Sequence, residues 1–449
     1  MSFCRFVFEC KDLLRKGSRT ARRAGMIYEQ LSGSQKQAQD WETRCELVHF
    51  AYKNIPFYRN FYRQKGFHPD QLNKETDWGQ VPVLEKTMIR TECSRFILPG
   101  VNRKYLVTAT TGGSTGQPLK LYKDRRVHYE VLHWRALAWY GCHPADNIGI
   151  VNRRVPVTYL QWLKNRALWW PTRRCYLDAS NVTKETMLRF LREINRLNVV
   201  YLTGYCGSLE HIADYALAHN ISTPTLKMVW TTTSPLRSDV RKRMENAFGC
   251  PVMDQYGSCE LPNIAVQKKG ECTLTVNSDY VHVDLIDENA QLIEEPQVFG
   301  DILITDLKTT IFPLIKYRLG DRSAWADHFS TSPDGFPKLQ PVQGRITDAI
   351  QFADGNFIDG AYLTTICDAY SDTVASYQIY QDRKYRLTLR IVLKAGRDSQ
   401  HPDIKKIVDN LEKKIAKRAP LLVKFCDYIP DDRGKRRYII SEIALRKKQ

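Results

Sequence analysis

Residues 110–118 read Thr-Thr-Gly-Gly-Ser-Thr-Gly-Gln-Pro, setting three glycines and four hydroxyl side chains between two β-like runs. Glycine lets backbone N–H groups approach an anion closely, and the hydroxyls add further donors. That is the design of a polyphosphate cradle; a polar surface turn is the rival reading. It is not the usual P-loop, because no Gly-Lys-Ser/Thr follows. Four more groups come after it in order: Gln255-Tyr256-Gly257-Ser258-Cys259-Glu260, Tyr317-Arg318-Leu319-Gly320-Asp321, Gly344-Arg345-Ile346-Thr347-Asp348, and Gly434-Lys435. Any one alone is a turn or a chance match. Five in this order and spacing are hard to reach by accident.

The elements that must position these groups can be read from periodicity. Residues 35–53 carry Trp41, Cys45, Val48 and Ala51 at roughly helical spacing and run into Asn54 and Pro56, which predicts a helix closing there. Thr183 caps a second helical stretch over 183–198, with Met187, Phe190, Leu191, Ile194 and Leu197 on one face. Short β-rich runs follow, Val199–Leu202 and Met228–Thr231 among them. Helix then strand, repeated, predicts α/β layers through the first two-thirds. After about residue 270 the texture changes to antiparallel strands, LTVNSDYVHVDLID and FGDILITD. Beyond Gly344 come strands at Tyr377–Tyr380 and Tyr385–Leu393 and a helix from about Asp403 to Lys417. The fold class expected is α/β, with a large multi-sheet N-terminal domain over 1–343 and a small α+β C-terminal domain over 344–449.

Composition sets the outer bounds. The chain has 449 residues, 43% hydrophobic and 11% aromatic, enough for a large core. No apolar run reaches the ~18 residues of a membrane-spanning helix. The opening MSFCRFVFEC is apolar, but Arg5 and Lys11 interrupt it and no small-residue cleavage site follows, so a signal peptide is not expected. Twelve cysteines are scattered without a CxxC, as in a chain kept in a reducing cytosol. The net charge of +18 asks for a partner or a solvated basic face. It is densest at the N-terminus (Lys11, Arg15, Lys16, Arg19, Arg22, Arg23) and in the tail. A solvated basic face is the first reading; with no nucleic-acid module beside it, peripheral contact with an anionic membrane is the second.

At the five groups the chain resembles the adenylate-forming superfamily of acyl-CoA synthetases, luciferases and peptide-synthetase adenylation domains. Within that superfamily it is most similar to the phenylacetate–CoA ligase-like branch, capsule-biosynthesis proteins of the CapK type included. The closer likeness rests on Ile55-Pro56-Phe57-Tyr58-Arg59, Val81-Pro82-Val83-Leu84-Glu85-Lys86 and Gly204-Tyr205-Cys206-Gly207-Ser208-Leu209. The resemblance implies ATP bound at a large domain and a small mobile one. A carboxylic acid is joined to AMP, and the acyl group passes to an acceptor, CoA by default. An amine acceptor on a sugar or lipid-linked sugar, in cell-surface polysaccharide synthesis, is the close alternative. A catalytically inactive homologue that binds membrane or nucleic acid is the reading from another class.

Carried onto this sequence, the resemblance gives each residue a task. Thr111, Gly112, Gly113, Ser114, Thr115 and Gly116 would hold the β- and γ-phosphates, with Lys120 following the loop. Glu260 would hold Mg2+, a suitable task for a hard carboxylate oxygen. Tyr256 and Gly257 would meet the adenine, opposite a wall of Ser234, Pro235 and Leu236. Asp321 would take the ribose hydroxyls, because a carboxylate accepts two hydrogen bonds at once. Arg345 would reach ribose or phosphate, and Asp348 would be the hinge. Lys435 would bridge the acid and the α-phosphate, neutralising charge where two anions meet. Tyr205, Gly207 and Ser208 would line the acid pocket; Arg173 and Arg174 either meet an acidic group on it or belong to a solvated face. The chain departs from capsule-type relatives at Ser234, where a glutamate is usual. A structural metal is not expected: Cys272 and His282 are present, but Gln267 and Thr275 stand where other ligands would be needed. Divergence at Asp354-Gly355-Asn356-Phe357-Ile358 leaves the acceptor open.

Overall fold

The computed structural model describes residues 2–14, 17–111, 119–152, 155–156, 158–179, 183–232, 236, 238–328, 331–342, 350–354, 357–358, 363, 366–367, 370, 373–394, 396–415, 418–429 and 438–443. Two compact units emerge. The larger comprises residues 1–109, 121–319 and 323–342; the smaller comprises 343–449 with the short segments 110–120 and 320–322.

The larger unit opens with four helices, α1 (Phe3–Leu14), α2 (Ser18–Gln30), α3 (Gly33–Asn54) and α4 (Pro56–Gln64). Ser32 starts α3 with a capping box: its hydroxyl accepts from the Gln35 N–H while the Gln35 side chain accepts from the Ser32 N–H. The helix stops at Asn54 because Pro56 takes the first position of α4, where its missing N–H costs nothing. A short helix α5 (Lys86–Glu92) precedes the paired strands β1 (Leu106–Thr111) and β2 (Leu119–Asp124), which flank the glycine-rich run.

Next comes a parallel sheet of β3 (Ile148–Asn152), β4 (Arg174–Asp178), β5 (Tyr201–Tyr205), β6 (Met228–Thr232) and β7 (Val252–Met253), in the order β4-β3-β5-β6-β7. It alternates with α6 (Glu130–Trp139), α7 (Tyr159–Trp169), α8 (Lys184–Arg196), α9 (Cys206–Ala218) and α10 (Ser238–Phe248). The Thr183 cap is present, its hydroxyl accepting from the Thr186 N–H, and α8 buries Met187, Phe190, Leu191 and Ile194 on its one apolar face. They join Val151, Leu202, Leu209, Ile212, Val229 and Met244 in a single core. Gly204 is required in β5: a Cβ there would sit 2.6 Å from that of Val151 on the neighbouring strand.

A seven-stranded, largely antiparallel sheet follows, built from β8 (Gln255–Tyr256), β9 (Ala265–Gln267), β10 (Leu274–Val276), β11 (Val281–Ile286), β12 (Phe299–Asp306), β13 (Tyr317–Asp327) and β14 (Lys338–Leu339), ordered β11-β12-β13-β14-β10-β9-β8. β11 and β12 pair from Val281 opposite Asp306 to Ile286 opposite Asp301.

In the smaller unit, β15 (Ile350–Gln351) pairs with β16 (Phe357–Ile358). A four-stranded sheet is built from β17 (Val374–Gln381), β18 (Leu387–Leu393), β19 (Leu421–Phe425) and β20 (Ile439–Ser441). Helix α11 (Pro402–Ile415) buries Ile404, Ile407, Leu411 and Ile415 in the same core as that sheet. β18 starts two residues later than the expected Tyr385. The Asp382 carboxylate accepts from the N–H groups of Lys384 and Arg386, closing a turn that puts Tyr385 at a φ of 62°. The mixed α/β class read from the sequence is the class the chain adopts.

Candidate functional site

The order of the parallel sheet singles out one place. Successive strands run outward from β3 to β4, then return past it to β5, so the winding reverses between β3 and β5. In open α/β sheets, ligands bind beyond the carboxyl ends of the strands at such a switch point. Asn152 ends β3 and Tyr205 ends β5, and the Tyr205 hydroxyl donates to Asn152 Oδ1 at 3.2 Å. Gly207 and Ser208 stand in the first turn of α9, directly after Tyr205. Three residues expected at the acid pocket therefore fall on the edge that topology favours. Thr232 ends the adjacent β6, and Ser234 and Pro235, which follow it, lie outside the described residues.

The Tyr256–Glu260 run is attached to this edge by side chains. Gln255 accepts from Trp230 Nε1 at 2.7 Å and donates to Thr232 Oγ1 at 3.4 Å, tying β8 to β6. The Asp254 carboxylate is buried. Burial pushes this carboxyl up to about 6, against the pull of Arg241 and of the Gln255 and Leu236 backbone amides. Leu236, the described residue of the expected adenine wall, and Tyr256 both have buried side chains. Sequence reasoning passed over Asp254, which stands one residue before the motif.

After Tyr256 the chain doubles back so tightly that a Cβ on Gly257 would lie 2.8 Å from the Asn263 nitrogen. Ser258 N–H donates to the Leu261 carbonyl at 2.9 Å, and Leu261 N–H donates to Ser258 Oγ at 3.1 Å. That turn drives Glu260 inward, leaving its side chain 2% exposed. A buried carboxylate needs partners. Tyr317 supplies a hydrogen bond to Oε1 at 3.2 Å, and Lys86 Nζ stands 3.6 Å from the same oxygen. Both of these contacts are made to Oε1. A buried hard oxygen of this kind fits Mg2+. Among the described residues, no cluster of three or more His, Cys, Asp or Glu forms a metal site of its own.

Lys86 is the residue the sequence reading undervalued. It stood inside the Val81–Lys86 run as a mark of likeness, with no task assigned. The structure gives that run a purpose. Leu84 bridges Tyr317 in parallel, with Leu84 N–H donating to the Lys316 carbonyl and Arg318 N–H to the Leu84 carbonyl, both at 3.0 Å. Lys86 and Tyr317 are thus registered to each other by backbone before either meets Glu260. The Ile55–Arg59 run serves the same strand: the Tyr58 hydroxyl donates to the Pro313 carbonyl at 2.8 Å and accepts from Ile315 N–H at 3.2 Å.

Asp321 is buried on β13, following Gly320 at a φ of 86°. Thr111 ends β1, and Lys120 is exposed on β2. Arg174 is half-buried with its guanidinium 3.4 Å from the Trp169 ring centroid, while Arg173 is exposed. Gly112, Gly113, Ser114, Thr115, Gly116, Arg345, Asp348 and Lys435 lie outside the described residues. His282 is not available to a metal: Nδ1 faces Asp40 at 2.9 Å and Nε2 faces Asp284 at 3.0 Å. A cavity of about 490 Å3 beside it, lined by Arg44, Trp78, Asp284, Trp325 and His328 among others, includes none of the motif residues.

The chain thus combines a switch-point sheet, an antiparallel sheet carrying a buried carboxylate, and a small α+β unit. The chain superposes on the solved structure of 2-hydroxyisobutyryl-CoA ligase in its postadenylation state, in complex with R3-HIB-AMP, with a TM-score of 0.70 over 94% of this chain and 92% of that one, at 19% identity. Residues 350–442 match the CapK C-terminal domain family. Protein CapK of Staphylococcus aureus is 23% identical over 413 residues, covering 89% of this chain and 87% of its own. Phenylacetate-coenzyme A ligase of Escherichia coli K12 is 22% identical over 307 residues, covering 65% and 67% respectively. In sequence the chain is thus similar to CapK and to phenylacetate-coenzyme A ligase, and in fold to 2-hydroxyisobutyryl-CoA ligase.

Proposed function

We propose that the chain is an ATP-dependent, AMP-forming carboxylate ligase. The acid's oxygen attacks the α-phosphorus of ATP, the bond to the β-phosphate breaks, and pyrophosphate leaves. A thiol or amine then attacks the acyl carbon, AMP departs, and the acceptor's proton is lost to solvent. The observation that carries this reading is Glu260: a carboxylate folded into the interior by a glycine turn, with one oxygen anchored by Tyr317 and Lys86. Its other oxygen would hold Mg2+, which when bound neutralises charge on the phosphates. Tyr256, Gly257, Ser234 and Pro235 would enclose adenine; Asp321 and Arg345 would take the ribose side. Thr111, Gly112, Gly113, Ser114, Thr115 and Gly116 would cradle phosphate. Tyr205, Gly207 and Ser208 would line the acid pocket at the switch point, Lys435 would bridge acid and α-phosphate, and Asp348 would be the hinge between residues 1–343 and 344–449.

CoA is the acceptor that the phenylacetate-coenzyme A ligases suggest. An amine on a sugar or lipid-linked sugar is the second reading, favoured by the match of residues 350–442 to the CapK C-terminal domain, the part of the chain expected to serve the second step. Pyrophosphate exchange across a panel of carboxylic acids tests the first step. Supplying the productive acid with CoA or with candidate amines separates the acceptors. Absence of exchange with every acid, in a folded and ATP-binding protein, would overturn the enzyme reading.

A further inference from the structure

A surface helix ordinarily turns its apolar stripe toward the core. α1 packs Phe8 against Trp134 and His143, yet it also turns a second apolar stripe outward. Its exposed positions within the helix are Phe3, Phe6, Cys10, Leu13 and Leu14. They fall at i, i+3, i+7, i+10 and i+11, and so share one face. The inward side carries Asp12, 2% exposed, which accepts from Ser18 and lies 3.4 Å from Arg22. α7 is equally unusual: it buries none of its residues, and Tyr159, Leu160, Trp162, Leu163 and Leu168 all face outward. The two helices form one surface. Phe3 packs edge-on against Trp170 at 5.6 Å, and Lys11 Nζ donates to the carbonyls of Leu168 and Trp170.

Around these side chains the charge is of one sign. Residues 1–23 carry a net +5, and residues 158–174 carry +4 with no acidic side chain, together half of the chain's +18. Arg22 is occupied by Glu9 and Asp12, which removes it from the cluster expected to meet a membrane. Arg19, Arg23, Lys164, Arg166 and Arg173 remain exposed, and Arg166 stands over the Trp162 ring at 5.5 Å. Tryptophan and tyrosine favour the boundary between headgroup and acyl chain, with lysine and arginine reaching the headgroups.

We propose that α1 and α7 form a docking surface for an anionic lipid bilayer, with the apolar side chains entering the headgroup–acyl boundary. A second copy of the chain would bring two faces of the same positive sign together, which opposes that pairing. Single-stranded nucleic acid would use stacked rings along a groove, and leucines provide nothing to stack on.

The test is flotation of the full chain with phosphatidylcholine vesicles, with and without phosphatidylglycerol. The variants are Phe3→Ser/Phe6→Ser/Leu14→Ser, Leu160→Ser/Trp162→Ser/Leu163→Ser, and Lys164→Gln/Arg166→Gln/Arg173→Gln. Wild type should bind the anionic vesicles at least about tenfold better than the neutral ones, and each apolar triple should lower that binding by about tenfold or more. The charge triple and added salt should both weaken it. Melting temperatures should hold, since the altered side chains are exposed. Failure of wild type to float with anionic vesicles would overturn the proposal, as would binding that survives both apolar triples. A wild-type dimer that those triples dissociate, in a protein that ignores vesicles, would assign the face to a second copy instead.

Discussion

Two buried charge clusters in the larger unit are built on opposite principles. Around His282 every charge is answered from within. Its ring nitrogens face Asp40 and Asp284, Arg44 Nε donates to Asp40 at 2.8 Å, and Trp78 Nε1 lies 3.0 Å from Asp284. Lys316 closes the set by donating to the Trp78 carbonyl at 3.1 Å. Around Glu260, the contacts given by Tyr317 and Lys86, among the described residues, both address Oε1. A closed network holds strands in register and has nothing left to offer a ligand, even beside the 490 Å3 cavity. On the reading proposed above, a carboxylate anchored through one oxygen would be positioned without being used up, as a metal ligand must be.

The first way to break this comparison is His282→Ala. It leaves Asp40 and Asp284 buried without the cation between them, and breaking a buried pair costs about 3–5 kcal/mol. Denaturant unfolding should show that loss, while catalysis at saturating ligand in the folded fraction stays near wild type. A loss under 1 kcal/mol would remove the network's structural role. The pH dependence follows from the same groups. Burial and Arg44 press the His282 imidazolium down, but Asp40 and Asp284 outweigh them and its pKa rises above the ordinary value. Its contribution is therefore complete below about 6.5 and is lost as pH climbs through the folded value. Burial opposes ionisation of Asp284, yet His282, Lys316 and Arg44 hold it well below the usual carboxylate range. That contribution is complete above about 3.9 and is lost on acidification. Stability should peak between those limits, and the His282→Ala profile should be flatter.

The second prediction works at the other pole. Lys435→Ala should slow adenylate formation by about 100-fold, roughly 3 kcal/mol, with ATP binding and melting temperature little changed. Equal single-turnover rates in mutant and wild type would return Lys435 to an ordinary basic tail. Glu260→Gln comes next: a neutral amide is a poorer ligand for a hard cation, so the Mg2+ concentration at half-maximal activity should rise by about tenfold. An unchanged Mg2+ requirement in a folded variant would move Glu260 into the same class as Asp284.

The contrast also shows what a sequence can and cannot declare. α8 was legible because its cap and its apolar face are local, fixed by Thr183 and the spacing of Met187, Phe190, Leu191 and Ile194. Glu260 could be singled out because its motif is contiguous, and the structure buries its side chain. Lys86 was not, because its meaning comes from a backbone bridge to Tyr317, far along the chain. The His282 cluster is assembled from α3, β11 and the Trp78 segment, and no single stretch announces it. α1 was half legible: the period of Phe3, Phe6, Cys10, Leu13 and Leu14 is in the sequence, but which side faces solvent is decided by the partners of Asp12.

The smallest effect separates anchoring from packing at Glu260 itself. Tyr317 is fully buried, so Tyr317→Phe keeps the ring and removes only the hydroxyl that donates to Oε1. The carboxylate retains Lys86, so the stability cost should be about 1 kcal/mol, the value of one hydrogen bond whose acceptor keeps another partner. If Tyr317 serves only to fill the core, that cost is the whole consequence and the Mg2+ dependence stays put. If it fixes the carboxylate so that Oε2 faces outward, the loosened side chain should demand a few-fold more Mg2+, less than Glu260→Gln demands but in the same direction. The two substitutions should then fall short of additivity when combined, because the hydroxyl has nothing left to orient once the charge is gone. Full additivity in the Mg2+ shift would show that Tyr317 and Glu260 act separately, and the distinction between the anchored and the offered oxygen would fall with it.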